Sequence, residues 1–155
     1  MKNTHDTPDI ITLEDFMPYR LSVLSNKVST IIAATYEGKF GISVTEWRIM
    51  AVLGEYPDAS ADFVSVKTQI EKSIISRAIA KLLQRKLIER EFDADDRRRS
   101  VLNLSETGRD VYREIVPVSF AYEDKLLECF NAEEQEQFST LISRLYSHAE
   151  QIEQK

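Results

Sequence analysis

One cysteine, two histidines, four glycines and four prolines are all that this 155-residue chain holds of the residues behind most metal, redox and tight-turn chemistry. The lone thiol, Cys129, cannot pair within the chain, which suits a reducing compartment. His5 and His148 are far apart in sequence. No HExxH, paired CxxC, Gly-rich phosphate loop or GxSxG is present, so metal-assisted hydrolysis, nucleotide use and acyl transfer lack their parts. Neither an enzyme nor a bound cofactor or metal is expected. No run of about 18 apolar residues exists to span a membrane. The opening MKNTHDTPDIITLEDF lacks the basic-then-apolar order of a secretory signal, so the expected compartment is the cytoplasm.

What the chain does have is an uneven charge. The net charge is −6, yet Lys72–Ser100 holds nine Lys/Arg against five Asp/Glu, while Glu114–Lys155 holds three against nine. An acidic body with one basic face repels a polyanion everywhere except at that face. A merely solvated charged surface is the plainer alternative. With 43% hydrophobic residues the chain can build one real core.

Periodicity organises the rest. Residues 1–11 read as an arm. Thr12 with Asp15 resembles a cap, and Leu21, Leu24, Val28, Ile31 and Ile32 recur at helical spacing, so a long helix is expected to about Tyr36. Pro18 either begins or kinks it, and Gly38 and Gly41 are expected to break it. Ser43 and Glu46 have capping-box spacing ahead of a helix burying Trp47, Met50, Ala51 and Leu53, closed by Pro57. Ser60 can cap a short helix through Ile70, with Val64 and Ile70 inward. A fourth helix, from about Lys72 to Arg85, buries Ile75, Ile79, Leu82 and Leu83 and turns out Ser73, Ser76, Arg77, Ala80, Lys81 and Gln84. It carries Lys72, Arg77, Lys81, Arg85 and Lys86 and no acid. Three short helices in succession are the parts of a helix-turn-helix unit.

Leu87–Phe92 and Ser100–Leu104 then read as strands of a hairpin, with DADDRRR at its tip. Asp93, Asp95 and Asp96 could hold a cation, but beside Arg97, Arg98 and Arg99 they fit a turn with internal ion pairs better. Ser105 caps a long helix bearing Val111, Ile115, Val118, Tyr122, Leu126 and Phe130, which Pro117 is expected to bend and Asn131 to end. A last helix bears Phe138, Leu141, Ile142, Leu145 and Ile152. Phe16, Tyr19, Phe120, Tyr122, Phe130, Phe138, Leu141 and Leu145 would stay wet in a monomer, so both ends are expected to interleave with a second copy.

SIISRAIAKLLQRKLIERE followed by DDRRRSVLNLSETG resembles the MarR family, the multiple-antibiotic-resistance type of winged-helix transcription regulators. The order of elements is similar across nearly the whole chain. Ser76-Arg77 matches the family's recognition-helix Ser-Arg, and Asp96, Arg98 and Leu104-Ser105-Glu106-x-Gly108 match its wing signature. The implied fold is mainly α with a small β-hairpin, a winged helix-turn-helix flanked by long dimerisation helices. Residues 1–40 and 106–155 would form the dimerisation region and 41–105 the DNA-binding region, one intertwined domain per subunit.

The resemblance implies that Ser73, Ser76, Arg77, Ala80 and Lys81 meet the major groove and that Arg98, oriented by Asp96, enters the minor groove. Arginine suits guanine edges, and a narrow A/T-rich minor groove attracts an inserted arginine. Ser60 and Lys72 lie where phosphates should pass. Arg97 and Arg99 point to opposite sides if the tip stays extended. Lys86 stands where the family commonly has Gly; a left-handed turn would cost Lys about 1 kcal/mol, so the helix is expected to run on. Phe63 replaces a more usual polar residue and is read as a surface aromatic, or as packing on the wing or a ligand.

The function expected is a dimeric, sequence-specific regulator on a pseudo-palindromic operator, a repressor released by a small aromatic or phenolic ligand. Tyr19, Trp47 and Arg48 are the candidates to line that pocket; the alternative is Trp47 as core and Arg48 as surface charge. Two rival readings stand beside it. One is a winged-helix protein-interaction module without DNA binding, which the basic face argues against. The other is a redox sensor through Cys129, which the neighbouring Glu128 disfavours by raising a thiol's pKa.

Overall fold

The computed structural model describes residues 9–155, so most of the expected arm, and His5 with it, lies outside the described residues. A short 3₁₀ turn, Leu13–Asp15, leads into α1 (Met17–Phe40). Thr12 contributes only its carbonyl, which accepts from Asp15 N at 3.1 Å, so the expected side-chain cap does not form. Pro18 sits in the first turn, where a missing N–H is harmless, and it starts the helix rather than kinking it. The helix runs past Tyr36 and carries Gly38 within it. Gly41, at φ 63°, turns the chain out in the left-handed region that glycine tolerates.

α2 (Val44–Glu55), α3 (Ala61–Thr68) and α4 (Lys72–Gln84) follow. Ser43 accepts from Glu46 N at 3.1 Å and Ser60 from Phe63 N at 3.0 Å, two of the expected caps. The antiparallel hairpin pairs β1 (Ile88–Phe92) with β2 (Ser100–Leu104), in register from Ile88 opposite Leu104 to Phe92 opposite Ser100. Ala59 adds a third, one-residue rung: its N–H donates to Leu102 O and its carbonyl accepts from Leu102 N. α5 (Glu106–Leu127) contains Pro117, and α6 (Ala132–Glu153) begins with a full capping box between Asn131 and Glu134.

The chain divides into two compact units, one ending at Ile115 and one beginning at Val116. The core of the first unit draws Tyr36, Ile42, Ile49, Met50, Val64, Ile75, Ile79, Leu82, Leu102 and Ile115 out of water. Trp47 is half-buried, its ring 5.8 Å from that of Tyr36 and 5.7 Å from that of Tyr112. In the second unit the Phe130 and Phe138 rings lie 5.5 Å apart, so each partly shelters the other.

α4 ends in a Schellman turn: Lys86 N donates to Leu83 O and Leu87 N to Leu82 O, both at 3.0 Å. Lys86 therefore does adopt the left-handed conformation, φ 59°, and the helix does not run on as expected. The buried pair Leu82 and Leu87 brackets the turn and offsets the strain at Lys86. Gly108 lies against the same turn, so close that a Cβ there would meet Leu87 O at 1.8 Å. Ser105 completes the junction, its Oγ donating to Lys86 O at 2.6 Å and accepting from Gly108 N at 2.9 Å.

Two substitutions at this junction should have opposite signs. Gly108→Ala should destabilise by about 3 kcal/mol through overpacking against backbone, and Lys86→Gly should stabilise by about 1 kcal/mol by relieving the left-handed strain. Thermal melting checks both; a Lys86→Gly protein melting below wild type would contradict the strain. A third change concerns Tyr36, whose buried hydroxyl has no hydrogen-bond partner among the described residues. Burial raises its pKa above 10.0, Glu37 raises it further and Arg48 opposes them. Because the unfolded chain gives up this proton first, the contribution is full below about pH 10 and is lost as pH rises beyond it. Tyr36→Phe should therefore keep its melting temperature between about pH 9 and 11 better than wild type does.

Candidate nucleic-acid interface

α4 is strongly two-faced. Ile75, Ala78, Ile79 and Leu82 are buried, while Ser73, Ser76, Arg77, Ala80 and Lys81 are all exposed on the other arc. Burial of one arc fixes the other outward, as the periodicity predicts. Arg77 and Lys81 border a cleft of about 310 Å³ with Ser43, Thr45 and Glu46 at the start of α2. Ile74, partly exposed, lines the same cleft and was missed as a face residue because an isoleucine reads as core.

The hairpin tip is shaped by the carboxylates among the arginines. Asp93 Oδ1 accepts from Asp95 N at 2.9 Å, and Asp96 Oδ1 accepts from Arg98 N at 3.0 Å and from Arg98 Nε at 3.2 Å. Arg99 N returns to Asp96 O at 3.0 Å and Asp93 N to Arg99 O at 2.9 Å. The carboxylates of Asp93 and Asp96 thus shape the turn, with an ion pair between Asp96 and Arg98, and residues 97–98 are turned rather than extended. The premise for Arg97 and Arg99 pointing to opposite sides therefore fails. Arg97, Arg98 and Arg99 are all exposed, Arg98 to 92% of its side chain.

Ser60, Arg98 and Arg99 line one groove of about 720 Å³ between the start of α3 and the hairpin, with Asp62 and Glu91 beside them. Lys72, at the start of α4, lies 3.3 Å from Asp62; both are well exposed, so the pair is worth little and leaves Lys72 available to another anion. Phe63 is half-buried and meets the Tyr56 ring edge-on at 5.1 Å, so it is a packing residue rather than an idle surface aromatic.

Arg85 departs from the basic face that the sequence suggests. Its Nη1 donates to Gly41 O at 2.9 Å and its Nη2 to Phe40 O, and Nη1 lies 4.0 Å from the buried Glu46 carboxylate. Of the three pocket candidates, Trp47 belongs to the Tyr36–Tyr112 cluster and Arg48 Nη2 donates to Ser29 Oγ at 3.0 Å. Tyr19 is exposed. Cys129 is exposed too, with Sγ 3.6 Å from Leu126 O.

Residues 40–99, the segment from the end of α1 through the hairpin tip, match the sequence pattern described as the MarR family. A solved MarR/EmrR family transcriptional regulator from Acinetobacter sp. ADP1 is 31% identical, with TM-score 0.83 over 91% of this chain and 99% of that one. The HTH-type transcriptional regulator BilQ of Clostridium symbiosum is 27% identical over 107 residues, 69% of this chain and 74% of that protein. Streptococcus pneumoniae FabT, solved in complex with DNA, shares the fold at 24% identity and TM-score 0.73 over 88% of this chain and 96% of its own.

The chain belongs to the MarR family. It is a DNA-binding, winged-helix transcriptional regulator and not an enzyme. Among the described residues no helix is long and apolar enough to cross a membrane.

Proposed function

We propose that this regulator is a homodimeric repressor that reads a pseudo-palindromic operator with α4 in the major groove and the β1–β2 tip in the minor groove. The observation that carries the proposal is the exposed arc Ser73, Ser76, Arg77, Ala80 and Lys81, free of acid and followed in the same unit by Arg97–Arg99. Arg77 would take guanine edges, Arg98 would leave Asp96 for the minor groove, and Ser60 and Lys72 would take phosphates. Arg97 and Arg99 lend charge.

Support for the dimer comes from apolar surface. Phe16, Phe120, Phe138, Leu141 and Leu145 are exposed, and Tyr122 and Phe130 are half-buried; Tyr19, Leu21, Leu24 and Ile142 are exposed as well, and large apolar side chains in such number are what a second copy would cover. A second copy covering them brings two α4 helices to successive major grooves about 34 Å apart. The basic faces also argue for DNA over a protein partner. The carboxylate of the next residue in the chain, Glu128, argues against a redox role for Cys129. The cytoplasm is the compartment that suits such a regulator.

Binding to duplex DNA from beside its own coding region should fall steeply with salt, log K against log salt having a slope of roughly −7. Arg98→Ala should weaken binding to all sequences, whereas Arg77→Ala should in addition relax base preference, costing about 1–3 kcal/mol of discrimination. Wild-type behaviour of both variants would show the two elements misplaced, and a monomer by sedimentation would remove the dyad. Release by a small aromatic acid completes the proposal, with Tyr19, Trp47 and Arg48 its candidate contacts. A thermal-shift screen of aromatic acids should find one that raises the melting temperature and weakens DNA binding; a screen with no such compound counts against it.

A further inference from the structure

Arg85 is the cap residue at the end of the helix that the proposal above sends into DNA, yet its guanidinium turns back to the end of α1. We infer that Arg85 is a positioning residue that clamps the end of α4 to the end of α1, and that it does not itself meet DNA.

Three observations carry this. Phe40 O and Gly41 O belong to the last carbonyls of α1, which have no partner within their own helix and stand at its negative end. Arg85 supplies both from one planar fork, Nη1 to Gly41 and Nη2 to Phe40, and the buried Glu46 carboxylate closes the third side. A fork answering two adjacent carbonyls fixes direction as well as distance.

Second, α4 is held unevenly. At its start Glu71 makes no side-chain cap and Lys72 has only the exposed Asp62 beside it. At its end the Schellman turn, the Ser105 Oγ bond to Lys86 O and the Arg85 fork fall on three consecutive residues. The polar bonds that hold the reading face in place therefore gather at its far end, where α1 and the start of α5 both take hold.

Third, Arg85 is exposed but less open than the arginine at the hairpin tip. Its side chain is 41% exposed against 92% for Arg98, and both of its terminal nitrogens are engaged by backbone carbonyls. Counting it as a groove contact would pull the fork off two carbonyls and leave Glu46 buried without its cation.

The inference rests on α4 being the recognition helix, and the experiment separates the two. Duplexes selected from a random library by the wild-type protein, and a scrambled duplex, would be titrated across a salt series with wild type, Arg85→Lys, Arg85→Ala and Arg77→Ala, each checked for a single cooperative melt. Arg85→Lys keeps the charge but lacks the fork, so both Arg85 variants should bind the selected duplex about tenfold more weakly. Their affinity for the scrambled duplex and their salt slope should stay at wild-type values. If Arg85→Lys binds as wild type while Arg85→Ala loses about one unit of salt slope per subunit, Arg85 is a phosphate contact and the clamp is wrong. Wild-type binding by both Arg85 variants overturns it as well. Should Arg85→Ala fail to melt cooperatively, Arg85→Lys decides alone. Undiminished discrimination by Arg77→Ala would overturn the reading of α4 instead, whatever the Arg85 variants do.

Discussion

The burial of Ile75, Ile79 and Leu82 is the interaction on which the rest depends. Each side chain removed from water contributes about 2 kcal/mol, enough together to fix the rotation of a 13-residue helix that has no side-chain cap at its start. Once those three point inward, Arg77 and Lys81 have no choice but to point out. The cationic surface is thus a by-product of core packing. The hairpin depends on the same cluster, since Leu87, Ile88, Leu102 and Leu104 join it and set the base from which the arginine tip projects.

Charge then sorts what such a surface can meet. The protein carries −6 overall, so a polyanion is pushed away from most of its exterior and tolerated where acid is absent. That sorting differs from what residue counts imply, because several charges have partners of their own. Arg85 answers carbonyls, Lys39 pairs with Glu114 at 2.8 Å, and the Asp93–Asp96 carboxylates hold their own turn.

Much of the fold was legible because its signals are local. Ser43, Ser60 and Ser105 mark helix starts by a chemistry that acts within three residues, and each accepts the backbone bond expected of it. The exposed arc of α4 was legible for the same reason, since burial follows a period of 3.6. The misreadings involve partners remote in sequence. Gly38 stays helical because Tyr36 is buried before it and the carbonyls of Phe40 and Gly41 are answered by Arg85, 44 to 45 residues on. Lys86 accepts a left-handed turn because Leu82 and Leu87 pin it from both sides. The rung between Ala59 and Leu102 has no local signature at all. Charge counts could not show that Arg85 is tied to the carbonyls at the end of α1, because composition carries no direction.

The two bonds that Asp96 receives from Arg98 are separable. One comes from the backbone N–H at 3.0 Å and the other from the guanidinium Nε at 3.2 Å. A competing anion can take the second and leave the first intact, so the loop keeps its shape while the side chain changes hands. Encounter with a ligand at this tip then needs a rotamer change, which takes picoseconds to nanoseconds, and not the slower reordering of a loop. On the proposed reading the hairpin would test many sites in passing and let go of each as quickly, the behaviour of a sliding probe rather than of a latch.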